Sequence, residues 1–454
     1  MTATGLCGIA GQLGNKTNAV EFCNFMDYQI RHYPSGSHII LEPYSIENRK
    51  YALPSHWPYI GELFEKIVDE AETECRSLDG NSLARNTAVS LAIPVVISYE
   101  GAVGEDRKTI TPRGFKINDS NDPFDVEKHL DNLSPDGLKF KVTVLSPAEA
   151  LIRAAAIQEK DLLNPGDQIY SANIDTGMSG ASGTIAADGT LTQISVNDKA
   201  GHEKMPYVEK FKLIEGEERL NQRSSVTRKR GYVALYITAN DPNNHSRKKR
   251  GLMATVENFK KLKNLEPNAT LTEAVELLND TLKENGVGDD LSITNQDVLN
   301  SSTINTNKES SDQEIIQAAK KGDKFAKALV LFTLIRVSQA LAQSINSQIP
   351  NKQPSGQLSF NFDESQPINS DEPVQLVFVT SSSSFNMDLS KVLPCHQGAE
   401  LQSRVIQSEL RKLGHPGILC PGQSLHHFNL DLNGTPIIVE EQLKAAISED
   451  LRRS

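Results

Sequence analysis

Hydrophobic and polar positions change period several times along this chain, and each change marks an element. Over 61–75, Leu63, Phe64, Ile67, Val68 and Ala71 recur at three- and four-residue spacing, which predicts an amphipathic helix. Apolar runs at 89–98 and 140–145 are rich in β-branched residues and read as strands buried on both faces. The segment 124–133 reads as a short helix. At 147–157 the chain becomes alanine-rich and helical, with Ser146 placed to cap it and Pro147 as its first residue. Over 168–194 the pattern is strand, turn, strand, turn, strand, and the second turn is Asp188-Gly189, a hairpin signal. Helices are then predicted at 230–237, 252–263, 271–282, 324–345, 401–413 and 440–451. The strongest is 324–345, whose apolar and small residues form a wide face. A buried strand is expected at 374–379. Strands alternating with helices imply an α/β architecture.

Segments rich in Asn, Ser, Thr or Pro interrupt this pattern at 300–313 and 350–373, and read as polar loops. With 454 residues the chain exceeds one hydrophobic core, so two or three domains are expected. The net charge of −11 argues against nucleic acid or an anionic membrane as the main partner. Cys7, Cys23, Cys75, Cys395 and Cys420 form no CxxC pair, an odd and sparse set that favours a reducing compartment. The expected location is therefore the cytoplasm. Residues 1–14 show no basic start before an apolar core, so export would need a route independent of a signal peptide. No apolar run reads as a membrane span of about 18–20 residues. His32 and the pair His426-His427 lack ligand spacing, and no metal site is expected. The clusters at 228–230 and 247–250 are basic, fitting a solvated helix end or an acidic partner.

Three anchors, in order, resemble the hexokinase family. Tyr51-Ala52-Leu53-Pro54 followed by Gly61-Glu62-Leu63-Phe64 resembles its Tyr-Ala-Ile-Pro and Gly-x-Glu-Leu-Phe. Ser98-Tyr99 and then Pro112-Arg113-Gly114-Phe115-Lys116 resembles its Ser-Phe-Pro strand end and Thr-Lys-Gly-Phe loop. Asp175-Thr176-Gly177-Met178-Ser179 resembles its Gly-Thr-Gly-x-Asn phosphate loop. Asp175 to Gly180, with Asp188-Gly189 after it, also resembles the first phosphate motif of the wider sugar-kinase, actin and chaperone fold, an alternative that the upstream anchors disfavour. The resemblance implies a two-lobed actin-like, hexokinase-like α/β fold. Residues 1–50 would be an irregular segment, 51–165 the small lobe, and 166–454 the large lobe. That large lobe would carry polar insertions near 295–322 and 350–373 and a C-terminal helix, the helix returning to the small lobe.

By the same resemblance Ser98, Arg113 and Ser179 would bind substrate, and Asp175, Thr176, Gly177, Ser381 and Ser382 would face phosphate. A hairpin tip with Thr176 and Gly177 can offer amides and a hydroxyl to a phosphate oxygen, and Asp175 can hold a magnesium-bound water. Much of the family chemistry is missing. The catalytic Asn-Asp becomes Leu145-Ser146, and a hydroxyl cannot act as the carboxylate base at neutral pH. Glu100 and Glu149 are the carboxylates nearest in sequence that could substitute. The first phosphate loop should precede Tyr51, where only Pro34-Ser35-Gly36-Ser37-His38 stands out. The expectation is a hexokinase-like protein with decayed catalytic and nucleotide motifs, binding a sugar or a phosphorylated small molecule. The alternatives are an active ATP-dependent and Mg²⁺-dependent sugar kinase with a relocated base, and a secreted or interaction protein with a protein partner. No cofactor is certain; ATP and Mg²⁺ are implied only if the chain is active.

Overall fold

The structure is a computed structural model. It describes residues 7–12, 19–26, 29–33, 39–40, 69, 87–92, 102–111, 122–133, 140–174, 178–197, 200–203, 222–223, 230–238, 249–264, 269–288, 291–305, 311–348, 374–381, 389–393, 397–420, 425–428 and 434–453. The anchors at Tyr51–Pro54, Gly61–Phe64, Ser98-Tyr99 and Pro112–Lys116 lie outside these residues, as do all of the 61–75 helix but Asp69 and the whole of 350–373. The chain divides into two units: 1–162 with 430–454, and 163–429.

Unit 1 is built on a sheet of β1 (Cys7–Gln12), β2 (Ala19–Met26), β3 (Gln29–Tyr33), β4 (Ile39–Ile40), β5 (Thr87–Ala92) and β9 (Phe140–Val144). The order is β3-β2-β1-β5-β9, with β4 on β2. The first three strands are antiparallel neighbours, whereas β1, β5 and β9 run parallel. Residues 1–50, expected to be irregular, thus hold four strands, one at the centre of the sheet. Three short strands, β6 (Ala102–Val103), β7 (Thr109–Thr111) and β8 (Phe124–Asp125), form a separate sheet. Helix α1 (Val126–Leu133) follows β8, and α2 (Pro147–Gln158) follows β9.

β9 is an edge strand, and side chains and a turn satisfy its outer amides. The N–H groups of Phe140, Val142 and Val144 donate to Asp131 Oδ1 (3.0 Å), Glu127 Oε2 (3.0 Å) and the Arg107 carbonyl (2.6 Å). An edge closed in this way cannot recruit another strand. Alanine on every side of α2 lets it sit between elements, with Ala148, Leu151, Ile152, Ala154 and Ala155 all buried. The C-terminal helix Thr435–Arg453 packs on α2, β1 and β5, and Gln442 Nε2 donates to Thr143 Oγ1 at 3.2 Å.

Unit 2 repeats the plan. β10 (Gln168–Ile174), β11 (Met178–Ile185) and β12 (Leu191–Asn197) are antiparallel neighbours. β13 (Val374–Ser381) lies parallel to β10. β14 (Ile418–Leu419) and β15 (Leu425–Phe428) pair in parallel with successive parts of β13, in the place that β9 holds in unit 1. The β11–β12 connection turns at Gly189, whose φ of 79° suits a residue without a side chain. Asp188 Oδ1 accepts there from the Thr190 N–H and hydroxyl.

Helices α3 (Ala234–Ile237), α4 (Gly251–Lys263), α5 (Ala269–Glu284), α6 (Asn295–Asn300), α7 (Ser302–Asn305), α8 (Asp312–Lys320), α9 (Lys324–Gln348) and α10 (Gln397–Lys412) complete unit 2. The helix expected over 230–237 is confined to its last four residues, because Gly231 takes a φ of 57° and Arg230 bridges to Arg223. The polar 300–313 and 295–322 stretches are not simple loops. They carry α6, α7 and α8, with capping boxes at Thr294/Asp297 and Ser311/Glu314 that satisfy the first amides of α6 and α8. α9 is apolar on all sides because every side meets protein: α10, α8, α3, α5 and α4 pack around it. It is long and apolar enough to cross a membrane, the one such helix among the described residues, but 89% of its apolar window is buried in the core. Its Arg336 guanidinium lies 3.9 Å from the Phe332 ring centre, a cation–π contact inside that core.

Candidate functional site

In open α/β sheets, ligands sit outside the carboxyl ends of the parallel strands. In unit 1 those ends are in line, since Gln12 pairs with Ala92 and Leu91 with Val144. The connections leaving this edge are 13–18 after β1, 93–101 after β5 and 145–146 after β9. Ser98 and Glu100 belong to the second connection, which lies outside the described residues, as does Arg113.

Ser146 stands directly past β9, 1% exposed, and is the N-cap of α2. Its Oγ accepts from the Glu149 N–H at 3.2 Å, and Pro147 supplies the first helical position. The hydroxyl therefore closes a helix end, and Ser146 offers no carboxylate.

Glu149, one turn further on, is also 1% exposed. Arg153 donates from Nε (3.0 Å) and Nη2 (2.9 Å) to its Oε1, and Arg107 Nη1 lies 3.1 Å from its Oε2. Oε1 accepts two guanidinium hydrogen bonds, and Oε2 is charge-paired with Arg107 without an aligned hydrogen bond, so two guanidinium groups stabilise the charge in place. The Arg153 pair is readable as an i,i+4 spacing, but Arg107 comes from a distant turn. In that turn Arg107 has φ of 58°, an uncommon conformation for a residue with a side chain. Asp106 Oδ1 shapes it by accepting from the N–H groups of Lys108 and Thr109 and the Thr109 hydroxyl. These bonds, the Lys108 N–H first among them, hold the Asp106 carboxyl below its usual range. Next to it, the Glu127 carboxylate hydrogen-bonded to Lys108 raises that ammonium's pKa.

Unit 2 carries the other group of expected residues. β10 and β11 pair up to Ile174 and Met178, so 175–177 connect them. Asp175, Thr176 and Gly177 are that connection and lie outside the described residues, as does Ser382. Ser179 is half-buried on β11, opposite Asn173. Ser381 ends β13, opposite Phe428. The structure thus joins Ser146 to Glu149 and places Ser179 and Ser381 in one sheet. His426 and His427 are strand residues of β15, not turn residues. Among the described residues, no group of three His, Cys, Asp or Glu is placed to hold a metal ion.

The 175–177 connection joins the first two strands of unit 2, and its counterpart in unit 1 is 13–18, between β1 and β2. The segment 34–38 instead links β3 to β4. Residues 13–18 read Leu-Gly-Asn-Lys-Thr-Asn, without an aspartate.

No family model matches the chain, and no curated protein matches it. Among solved structures, a glucokinase from Balamuthia mandrillaris in complex with glucose is 12% identical, with 96% of this chain and 94% of that one covered and a TM-score of 0.49. The ROK hexokinase from Thermus thermophilus is 12% identical over 97% and 99% of the two chains, with a TM-score of 0.44. A ROK family transcriptional regulator, a homologue of the E. coli MLC protein, is 13% identical over 96% and 78%, with a TM-score of 0.41. With the strand order and directions of unit 1 repeated in unit 2, the chain has an α/β fold of the duplicated, actin-like plan.

Proposed function

We propose that this chain is a hexokinase-like protein without efficient phosphotransfer, one that binds a sugar or a phosphorylated small molecule. The observation that carries the reading is the double commitment after β9: Ser146 caps α2, and Glu149 is locked between Arg107 and Arg153. Transfer to a sugar hydroxyl requires a group that takes its proton, and a positioned carboxylate contributes about 10²–10⁴-fold. Ser146 has no carboxylate, and Glu149 could act only by giving up two guanidinium partners in a buried setting.

Two observations on the described residues and the sequence weigh against an active Mg²⁺-ATP site. The carboxyl edge of unit 1 offers no uncommitted carboxylate among them, and the first-hairpin segment 13–18 lacks the family's aspartate. The net charge of −11 and the sparse cysteines support a cytoplasmic protein that does not bind nucleic acid.

The test pairs a coupled ADP-release assay on glucose with thermal shifts across sugars, sugar phosphates and ATP. The expected result is no turnover together with stabilisation by a sugar or sugar phosphate. Turnover that Glu149→Gln or Glu100→Gln abolishes would identify a relocated base and overturn the reading. No shift with any of these compounds would favour a role in protein interaction.

A further inference from the structure

Glu149 has two guanidinium neighbours. Two guanidinium groups share one carboxylate, yet one is enough to neutralise it. The Arg107 and Arg153 side chains are 30% and 34% exposed, while the carboxylate between them is 1% exposed. Arg107 spends only Nη1 on Glu149, and Arg153 spends Nε and Nη2. Arg107 Nε and Nη2 and Arg153 Nη1 have no partner among the described residues. Asp106 adjoins Arg107 in sequence, but no ion pair joins the two; its carboxylate is turned to Lys108, Thr109 and their backbone.

The backbone holds Arg107 there at a cost. A left-handed conformation is unfavourable for a residue with a side chain. The Arg107 carbonyl is tied to the Val144 N–H, so the turn is fixed against the end of β9. Glu149 in turn fixes the Arg153 guanidinium through two hydrogen bonds and draws in Arg107 by charge. The result is a pair of oriented cationic forks, partly open to solvent, next to the strand end where Ser146 stands.

We propose that Arg107 and Arg153 recognise an oxyanion, the phosphate or carboxylate group of a small molecule. Planar guanidinium forks match the paired oxygens of either group, which an ammonium on a flexible stem does not. Glu149 serves as the positioning residue that aims both. The inference does not depend on loss of phosphotransfer: a chain that phosphorylated glucose could carry the same site.

Arginine footprinting of the intact protein tests it. Phenylglyoxal labels arginines, and peptide mass spectrometry reads Arg107 and Arg153 separately. The probes are inorganic phosphate, glucose 6-phosphate and gluconate, each at about tenfold excess over its half-protecting concentration or up to about 10 mM, with glucose as the uncharged control. Expected is protection of both arginines by at least one anion and none by glucose. Protection by the two phosphates assigns a phosphate site, and protection by gluconate a carboxylate site. Absence of protection by all three anions, or protection of fewer than both arginines, overturns the proposal. Arg107→Gln should weaken binding of the protecting anion about tenfold by calorimetry, and unchanged affinity would also overturn it. Should that variant not fold, Arg107→Lys keeps the charge but loses the fork; it should bind several-fold more weakly, and wild-type affinity would count against the site.

Discussion

Glu149→Gln removes one charge and almost no volume from the interior of unit 1. The carboxylate accepts two hydrogen bonds from Arg153 at 2.9 and 3.0 Å and is ion-paired with Arg107 Nη1 at 3.1 Å without an aligned hydrogen bond. A charge-assisted bond contributes roughly 1 kcal/mol more than a neutral one. Losing two of them and the ion pair would cost roughly 2–3 kcal/mol, but both guanidiniums are about a third exposed and water screens them, so about 2 kcal/mol is expected. For a unit of this size that is a fall of about 4–8 °C in Tm. The assay is differential scanning fluorimetry with urea unfolding, at low salt and at about 1 M NaCl. The deficit should persist at high salt, because ions screen a buried pair poorly. A double-mutant cycle with Arg153→Gln should show coupling of about 1 kcal/mol or more. A Tm within about 1 °C of wild type, with additive single effects, would show that Glu149 is not locked, and would return it to the list of candidate bases.

Ser146→Ala should cost about 1 kcal/mol by urea midpoint, since the N-cap of α2 loses its acceptor; an unchanged midpoint would remove Ser146 from its capping role. Gly398→Ala should be strongly destabilising, by about 2 kcal/mol or more, because a methyl group there would lie 2.1 Å from the Ser390 carbonyl oxygen, a backbone atom that cannot swing aside. A variant with wild-type circular dichroism and Tm would contradict that close approach. Tyr170 is wholly buried and donates to Ser344 Oγ; burial pushes its phenol pKa above the ordinary tyrosine range. The unfolded chain therefore releases this proton first as pH rises through about 10, so stability falls above that point. Tyr170→Phe should flatten the alkaline limb of stability against pH, and an identical slope would refute the shift.

Local signals in the sequence were legible. Pro147 after Ser146 announced α2 and its cap, and Asp188-Gly189 announced the β11–β12 turn. The alanine-rich run over 147–157 is helical as read, and 324–345 lies within α9. Elements that depend on partners distant in sequence were not. β1 reads Cys-Gly-Ile-Ala-Gly-Gln, small and weakly apolar, and becomes a central strand because β2 and β5 pair with both of its edges. The Asn- and Ser-rich stretch around 295–323 hid α6 and α8, although Thr294-x-x-Asp297 and Ser311-x-x-Glu314 are capping-box spacings. In the candidate site, loss of the carboxylate at 146 could be read directly. The fate of Glu149 could not: its i,i+4 partner Arg153 was visible, but Arg107 reaches it through a turn fixed by Asp106 and the end of β9.

Phosphoryl transfer under single-turnover conditions tests the central claim most directly. Protein in excess over γ-labelled ATP, with Mg²⁺ and a saturating mixture of hexoses, is quenched over minutes to hours and resolved for labelled sugar phosphate. Label in sugar phosphate is expected to form at the rate of a protein-free control. Label accumulating well above that control would contradict the loss of phosphotransfer, and its disappearance in Glu149→Gln would identify the base.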